Sequence, residues 1–217
     1  MICACTPTWP NAPADLVAKA NQDGVVTPDG YVINPPPADA AHRLPLQAAE
    51  TIGDRLNSRN ISWRYYGADA PFTYFKNYAE GTPEKKEFLK DEKTFDDDLK
   101  AGKLPSVIFI EPAGLSAPIV DGIRNSPYWA KSAIFIVYVD NGGHWDHVAP
   151  PKVDRWGPGT RVPAIIVSPF AKRHYVDHTP YDTTSVLAFI ERRWNLRPLT
   201  TRDARANDLT AAFDLAR

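Results

Sequence analysis

Asp140, His144, Asp146 and His147 fall in one short stretch, Tyr138-Val-Asp-Asn-Gly-Gly-His-Trp-Asp-His-Val-Ala-Pro-Pro151, and are the residues whose types and spacing could do chemistry together. Carboxylates are hard oxygen ligands for a divalent cation, and imidazoles bind metals or move protons near neutral pH. Asn141-Gly142-Gly143 gives the backbone freedom for a sharp turn, and His144 to His147 follow at once. The preceding run, Ala133-Ile-Phe-Ile-Val-Tyr-Val139, is apolar without alternation, which predicts a central strand covered on both faces. Ligand-type groups just past the carboxyl end of such a strand stand where open α/β sheets bind their ligands. A second reading stays open, in which Asp140 caps the turn and the histidines face solvent.

Further elements must hold that loop. Residues 1–46 are dense in proline and predict long ordered loops, with one short strand near Asp29–Asn34. Thr51, with Asp54 three positions on, predicts a helix running to about Arg59, followed by a strand over Ile61–Tyr66 and an aromatic cluster at Phe72–Phe75 packed against it. Pro83–Lys90 and Lys93–Ala101 read as polar helices burying Phe88, Leu89, Phe95 and Leu99, with Gly102 as a stop. Ser106–Ile110 and Arg161–Val167 read as further buried strands, and Ser116–Arg124 as a helix. Asp182 opens an amphipathic helix with Val186, Leu187, Phe189, Ile190 and Trp194 on its apolar face, and a short terminal helix docks Leu209, Phe213 and Leu215. Strands separated by helices predict an α/β domain with a largely parallel sheet, one domain spanning 1–217, with its core over 47–217.

Composition limits the partners. With 25 Lys plus Arg against 26 Asp plus Glu, there is no electrostatic case for nucleic acid or an anionic membrane. No apolar run has the length of a membrane span, and Met1-Ile2-Cys3 does not open an export signal. Cys3 and Cys5 cannot make a disulfide framework and are a poor metal site by themselves; they read as small packed residues on one face of a strand. His174 and His178, on either side of Asp177, read as surface residues, and His42 has no visible partner.

Several motifs in order resemble one family. They are Ile2-Cys-Ala-Cys-Thr-Pro7, Trp9-Pro-Asn-Ala-Pro13, Val26-Thr-Pro-Asp-Gly-Tyr31, Thr51-Ile-Gly-Asp-Arg-Leu56, Asn125-Ser-Pro-Tyr-Trp129, Gly142-Gly143, Trp145-Asp-His-Val-Ala-Pro-Pro151, Gly157-Pro-Gly-Thr-Arg-Val-Pro163 and Tyr181-Asp-Thr-Thr-Ser185. Together they resemble the C-terminal half of a bacterial phosphoesterase of the acid phosphatase and phospholipase C type. The resemblance implies part of an alkaline-phosphatase-like α/β/α sandwich, lacking its N-terminal half, that hydrolyses phosphate esters with a hydroxyl nucleophile and a divalent metal ion. It implies a small-molecule phosphate ester or a phospholipid headgroup as substrate and, in relatives, export from the cytoplasm.

The same resemblance assigns roles residue by residue. Asp140 is implied as a metal ligand, Val139 replaces its expected acidic partner, and Asp146 and His147 lie beside the metal or the phosphate. His144, where relatives carry a basic residue, is a candidate for an improvised metal site with Asp140, Asp146 and His147. The family's Glu-Asn pair, its nucleophile segment and a Glu-His-Pro motif after Glu111-Pro112 are not matched. These departures predict an impaired hydrolase or a fold remnant that binds a phosphate ligand or a partner. An unpaired sheet edge would favour self-association.

Overall fold

The computed structural model describes residues 2–23, 26–27, 30–32, 44–68, 70–112, 114, 116–138, 144 and 146–215. Its centre is β1, Trp63–Tyr66, flanked in parallel by β2, Leu89–Lys90, and β3, Val107–Ile110, in the order β2-β1-β3. Between β1 and β3 the chain passes through α3, Pro83–Phe88, and α4, Glu92–Lys100. Alternation along β1 sends Trp63 and Tyr65 to one face and Arg64 and Tyr66 to the other. On the first face Trp63 stacks on Phe88 at 4.8 Å and meets Phe72, Tyr78 and Phe109, so the expected aromatic cluster at Phe72 is present. On the second, Tyr66 packs edge-on against Phe95 of α4, and both Tyr66 and Arg64 bond Asp98.

Helix α2, Ile52–Asn57, begins as the sequence predicts. The Thr51 hydroxyl accepts from Asp54 N, and Asp54 Oδ2 accepts from Thr51 N at 2.7 Å, a reciprocal capping box. Gly53 lies flat on the core: a Cβ there would sit 2.5 Å from Trp63 Cζ2. Helix α4 ends at Gly102, whose φ of +68° suits glycine. Helix α5, Ala117–Arg124, lies against α4, with Gly122 near Leu99 Cδ2.

The second sheet corrects the sequence reading. Among the described residues, strands β4, Ile134–Val137, and β5, Ala164–Val167, pair only with each other and run antiparallel, with Phe135 opposite Ile166 and Ile136 opposite Ile165. The parallel arrangement therefore holds for the first sheet alone. Neither β4 nor β5 is buried on both faces, and Ile165 is 50% exposed. One face of the ribbon is covered: Phe135 meets Phe189 of α6, Ser185–Trp194, at 5.0 Å, and Phe213 at 6.0 Å. Ile134, Ile136, Ile165 and Val167 share the opposite face, and none is buried. An apolar run without alternation predicts full burial on both sides, whereas β4 is half-buried throughout and Ile165 of β5 is exposed.

Helix α6 joins the two halves of the core. Leu187 and Ile190 enter the cluster around Trp63, while Phe189 faces the ribbon. It ends on Asn195 at φ +52°, with Leu196 N bonding Glu191 O. Beyond it come α7, Thr201–Arg205, and a 3₁₀ turn, Thr210–Ala212, that docks Leu209 and Phe213; Leu215, expected to be docked, is 64% exposed. A turn this short has no second apolar stripe on which to bury it.

The proline-rich start is not all loop. Helix α1, Ala14–Asp23, follows Pro13, and Leu16 is 3% exposed. Val32 forms bridges with Trp9 and Val26, while most of the expected strand at 29–34 lies outside the described residues. Cys3 and Cys5 are not on a strand: they are joined to each other by a disulfide, with Cα atoms 5.0 Å apart. Extended residues two apart are separated by roughly 6.7 Å; Ala4, at φ +48°, shortens that span.

Candidate functional site

The loop after β4 is described in part. Val139, Asp140 and Trp145 lie outside the described residues, as does His42, so the expected ligand role of Asp140 is not placed. His144 and His147 are exposed, and His174 and His178 are exposed as the sequence suggests. Asp146 is the best-defined group. Its side chain is 10% exposed although it stands on a surface loop.

What shields Asp146 is Arg161, fifteen residues on. Arg161 Nε donates to Asp146 Oδ2 at 3.0 Å and Nη2 to Oδ1 at 2.9 Å, a two-pronged guanidinium–carboxylate pair. Arg161 N also donates to Oδ2, at 3.1 Å, and Val148 N to Oδ1, at 3.1 Å. The Arg161 hydrogen bonds, followed by that from Val148, hold the Asp146 carboxyl far below the usual carboxylate range, and Asp146 in turn raises Arg161. Asp146 thus stays ionised and fixes the plane of Arg161. Arg161 Nη1 makes no bond to Asp146, and the side chain is 63% exposed.

The stretch before Arg161 is anchored separately. Trp156 N donates to Asp154 Oδ1 at 2.8 Å, and Asp154 N bonds Gly157 O across a peptide turn that contains a cis bond before Pro158. Arg155 lies over the rings of Trp156, at 4.5 Å, and Tyr31, at 5.3 Å. Arg202 of α7 reaches Asp154 at 3.3 Å and Asp182 at 3.8 Å, so the loop carrying Arg161 is tied to the lead-in of α6. Asp182 itself accepts from Thr184 N at 2.6 Å. Reasoning from sequence singled out Asp146 but not Arg161, although Arg161 lies in the Gly157–Pro163 motif. No periodicity signals such a pair; only folding β4 against β5 brings the two loops together.

Asp140, the carboxylate expected to hold a divalent cation, lies outside the described residues. No three His, Cys, Asp or Glu side chains gather in a ligand-like group among the described residues, and every described bond of the Asp146 carboxylate is to Arg161 or Val148. Of the expected group of Asp140, His144, Asp146 and His147, Asp146 is thus engaged by Arg161 and Val148, and Asp140 is not among the described residues.

A model of the phosphoesterase family matches residues 2–197. The chain is 27% identical over 230 residues to a non-hemolytic phospholipase C of Pseudomonas aeruginosa, an alignment covering 76% of this chain and 33% of that protein. It is 33% identical over 168 residues to a non-hemolytic phospholipase C of Burkholderia pseudomallei, covering 55% and 24%. With non-specific phospholipase C1 of Arabidopsis thaliana it shares 26% over 212 residues, covering 76% and 40%. The chain thus spans between about a quarter and two fifths of the length of these relatives. A match over nearly the whole chain, running through the Asp146 loop and the Arg161 motif, establishes that the chain belongs to the phosphoesterase family.

Proposed function

We propose that this chain is a phosphate-ester hydrolase domain of the phospholipase C and acid phosphatase type, in which Arg161, held by Asp146, and the adjacent His147 contact the phosphoryl group. The observation that carries the reading is the Asp146–Arg161 pair within two family motifs. A guanidinium whose plane is fixed on one side can present its remaining N–H groups to phosphoryl oxygens. An imidazole beside it can protonate the leaving oxygen. Asp140 is the carboxylate proposed for a divalent cation, and Val139, standing where an acidic partner is expected, makes turnover by this chain slow. The substrate proposed is a phosphate ester such as a phospholipid headgroup, because the aligned relatives are named phospholipase C.

The test is binding of inorganic phosphate and hydrolysis of p-nitrophenyl phosphate, at mildly acidic and neutral pH, with Ca²⁺, Mn²⁺ or Zn²⁺. Arg161→Lys, which loses the fork, should weaken phosphate binding roughly tenfold. Val139→Asp should raise turnover and Asp140→Ala abolish it. Equal phosphate affinity in wild type and Arg161→Lys would defeat the reading.

One observation favours a second role. The face of Ile134, Ile136, Ile165 and Val167, on which Ile165 is 50% exposed and the other three are half-buried, belongs to a ribbon that the α/β/α sandwich would cover on both sides. In this reading residues 1–217 form one partial domain, and that face binds a partner or a second copy of the chain. Sedimentation that shows a monomer at every concentration, unaltered by Ile165→Lys, would rule out self-association.

A further inference from the structure

The Cys3–Cys5 bridge is placed where a structural staple would do little and a reducible link would do much. It closes a loop containing only Ala4, so it removes little freedom from the unfolded chain. Holding it requires Ala4 at φ +48°, a left-handed conformation that a residue with a Cβ adopts at a cost. Yet the carbonyls on this turn are tied to distant elements. Ile2 O accepts from Ile52 N at 2.8 Å, which satisfies the first helical N–H of α2. Ala4 O lies 3.2 Å from Thr200 Oγ1, the N-cap hydroxyl of α7, which shares its proton with Asp203 Oδ1 at 3.1 Å. Ile2, Cys3 and Ala4 are buried in the main core with Ile52, Leu187 and Leu196, while Cys5 is half-buried.

We propose that Cys3–Cys5 is a redox site, reduced by a dithiol, whose state decides whether the turn at residues 2–5 is fastened to α2 and α7. The thiolate of the dithiol attacks Cys5 Sγ, the more accessible sulfur. The Cys3–Cys5 bond breaks, and Cys3 Sγ leaves with the electron pair and takes up a proton. The second thiol of the reagent, once deprotonated, attacks its own sulfur in the mixed disulfide and releases Cys5 as a thiolate, which is protonated in turn. The protein gains two thiols and the reagent becomes a cyclic disulfide. Ala4 then relaxes out of the left-handed region, its carbonyl turns from Thr200, whose hydroxyl then donates to Asp203 alone, and the Ile2–Ile52 bond is no longer held in place.

Because its readouts are thiol content and amide exchange, the test stands apart from the hydrolase reading. The full chain is incubated with dithiothreitol or without it, alkylated, and followed by mass spectrometry and hydrogen exchange. Without reductant neither cysteine should be alkylated; with it both should be, and exchange of the Ile52 amide should quicken roughly tenfold or more. Cys5→Ser should show the fast exchange at once and ignore the reductant. Ala4→Gly keeps the bridge but bears no left-handed cost, so it should need roughly threefold more reductant for half reduction. Alkylation of both cysteines before reduction, an Ile52 amide that exchanges at one rate in both states, or an Ala4→Gly chain reduced as easily as wild type would each overturn the proposal.

Discussion

Glu191 on α6 and Asp203 on α7 are buried side by side, 4% and 1% exposed, and the two carboxyls interact directly. Asp203 accepts from Leu199 N at 2.7 Å and Thr200 N at 2.8 Å, and these bonds, with that from Glu191, keep it ionised despite its burial. Glu191 is less well supplied: its Oε1 is without a hydrogen-bond partner, and burial, followed by the neighbouring Asp203, pushes its pKa up to about 8 against the opposing backbone hydrogen bond from Leu199. Arg55 opposes that rise and is the cation facing the pair; Arg55 Nε is also unbonded. Glu191 therefore carries a proton at neutral pH and donates it toward Asp203.

A dependence of stability on pH follows. Between the ordinary glutamate value of 4.5 and about 8, the folded chain keeps a proton on Glu191 that the unfolded chain has released. Stability from this group is fully present below about 4.5 and falls as pH rises to about 8. The depressed Asp203 acts oppositely, losing its contribution only as pH falls below its ordinary value of 3.8. Thermal melts at pH 5, 6.5 and 8 should show a progressive drop, and Glu191→Gln should flatten it. An unaltered slope in that variant would contradict the assignment.

Gly53→Ala tests the aromatic core. The added Cβ would meet Trp63 Cζ2 at 2.5 Å and Tyr78 Oη at 2.7 Å, both on fully buried rings that cannot swing aside. Overpacking of this kind costs about 1–3 kcal/mol. Urea unfolding should move its midpoint down without a change of slope.

Asp54→Ala removes more than a cap. Besides its bonds to Thr51, Asp54 Oδ1 accepts from Asn77 Nδ2 at 2.7 Å and Tyr78 Oη at 3.2 Å, linking α2 to the 3₁₀ turn Lys76–Tyr78. A loss of about 2 kcal/mol is expected in chemical unfolding, from the cap and from a buried tyrosine hydroxyl left with a poorer partner.

Phe213→Ala should expose how the ribbon is held. Its ring stacks on Phe189 at 5.3 Å and touches Phe135, so its removal opens a cavity between α6 and β4 and costs about 3 kcal/mol. Limited proteolysis should then cut first between Val137 and Ala164, before the Trp63 core opens.

The elements whose signals are local were legible in the sequence. Thr51 with Asp54, Gly102, and the apolar spacing of Leu187 and Ile190 each declare a helix boundary or a buried face through neighbours a turn away. Helix α1 was missed: Ala14-Asp-Leu-Val-Ala-Lys-Ala20 follows Pro13 directly, but the surrounding prolines read as loop. Strand burial was not legible. Ala133–Val139 has the composition of a doubly covered strand, and composition records what a strand can bury, not what is present to bury it. The Asp146–Arg161 pair was hidden for another reason: its partners meet only through the β4–β5 pairing.

The contact between Ala4 and Thr200 bears on the order in which the molecule is assembled. It spans 196 residues, and Ile2, Cys3 and Ala4 share their core with Leu187, Ile190 and Leu196. During synthesis the turn at residues 2–5 emerges long before the helix that encloses it, so its apolar side chains wait in solvent until residues near 200 have left the ribosome. Strands β1, β2 and β3, with their intervening helices, need no such delay. Residues 2–4 are made well before the elements that enclose them and are among the last to find their place.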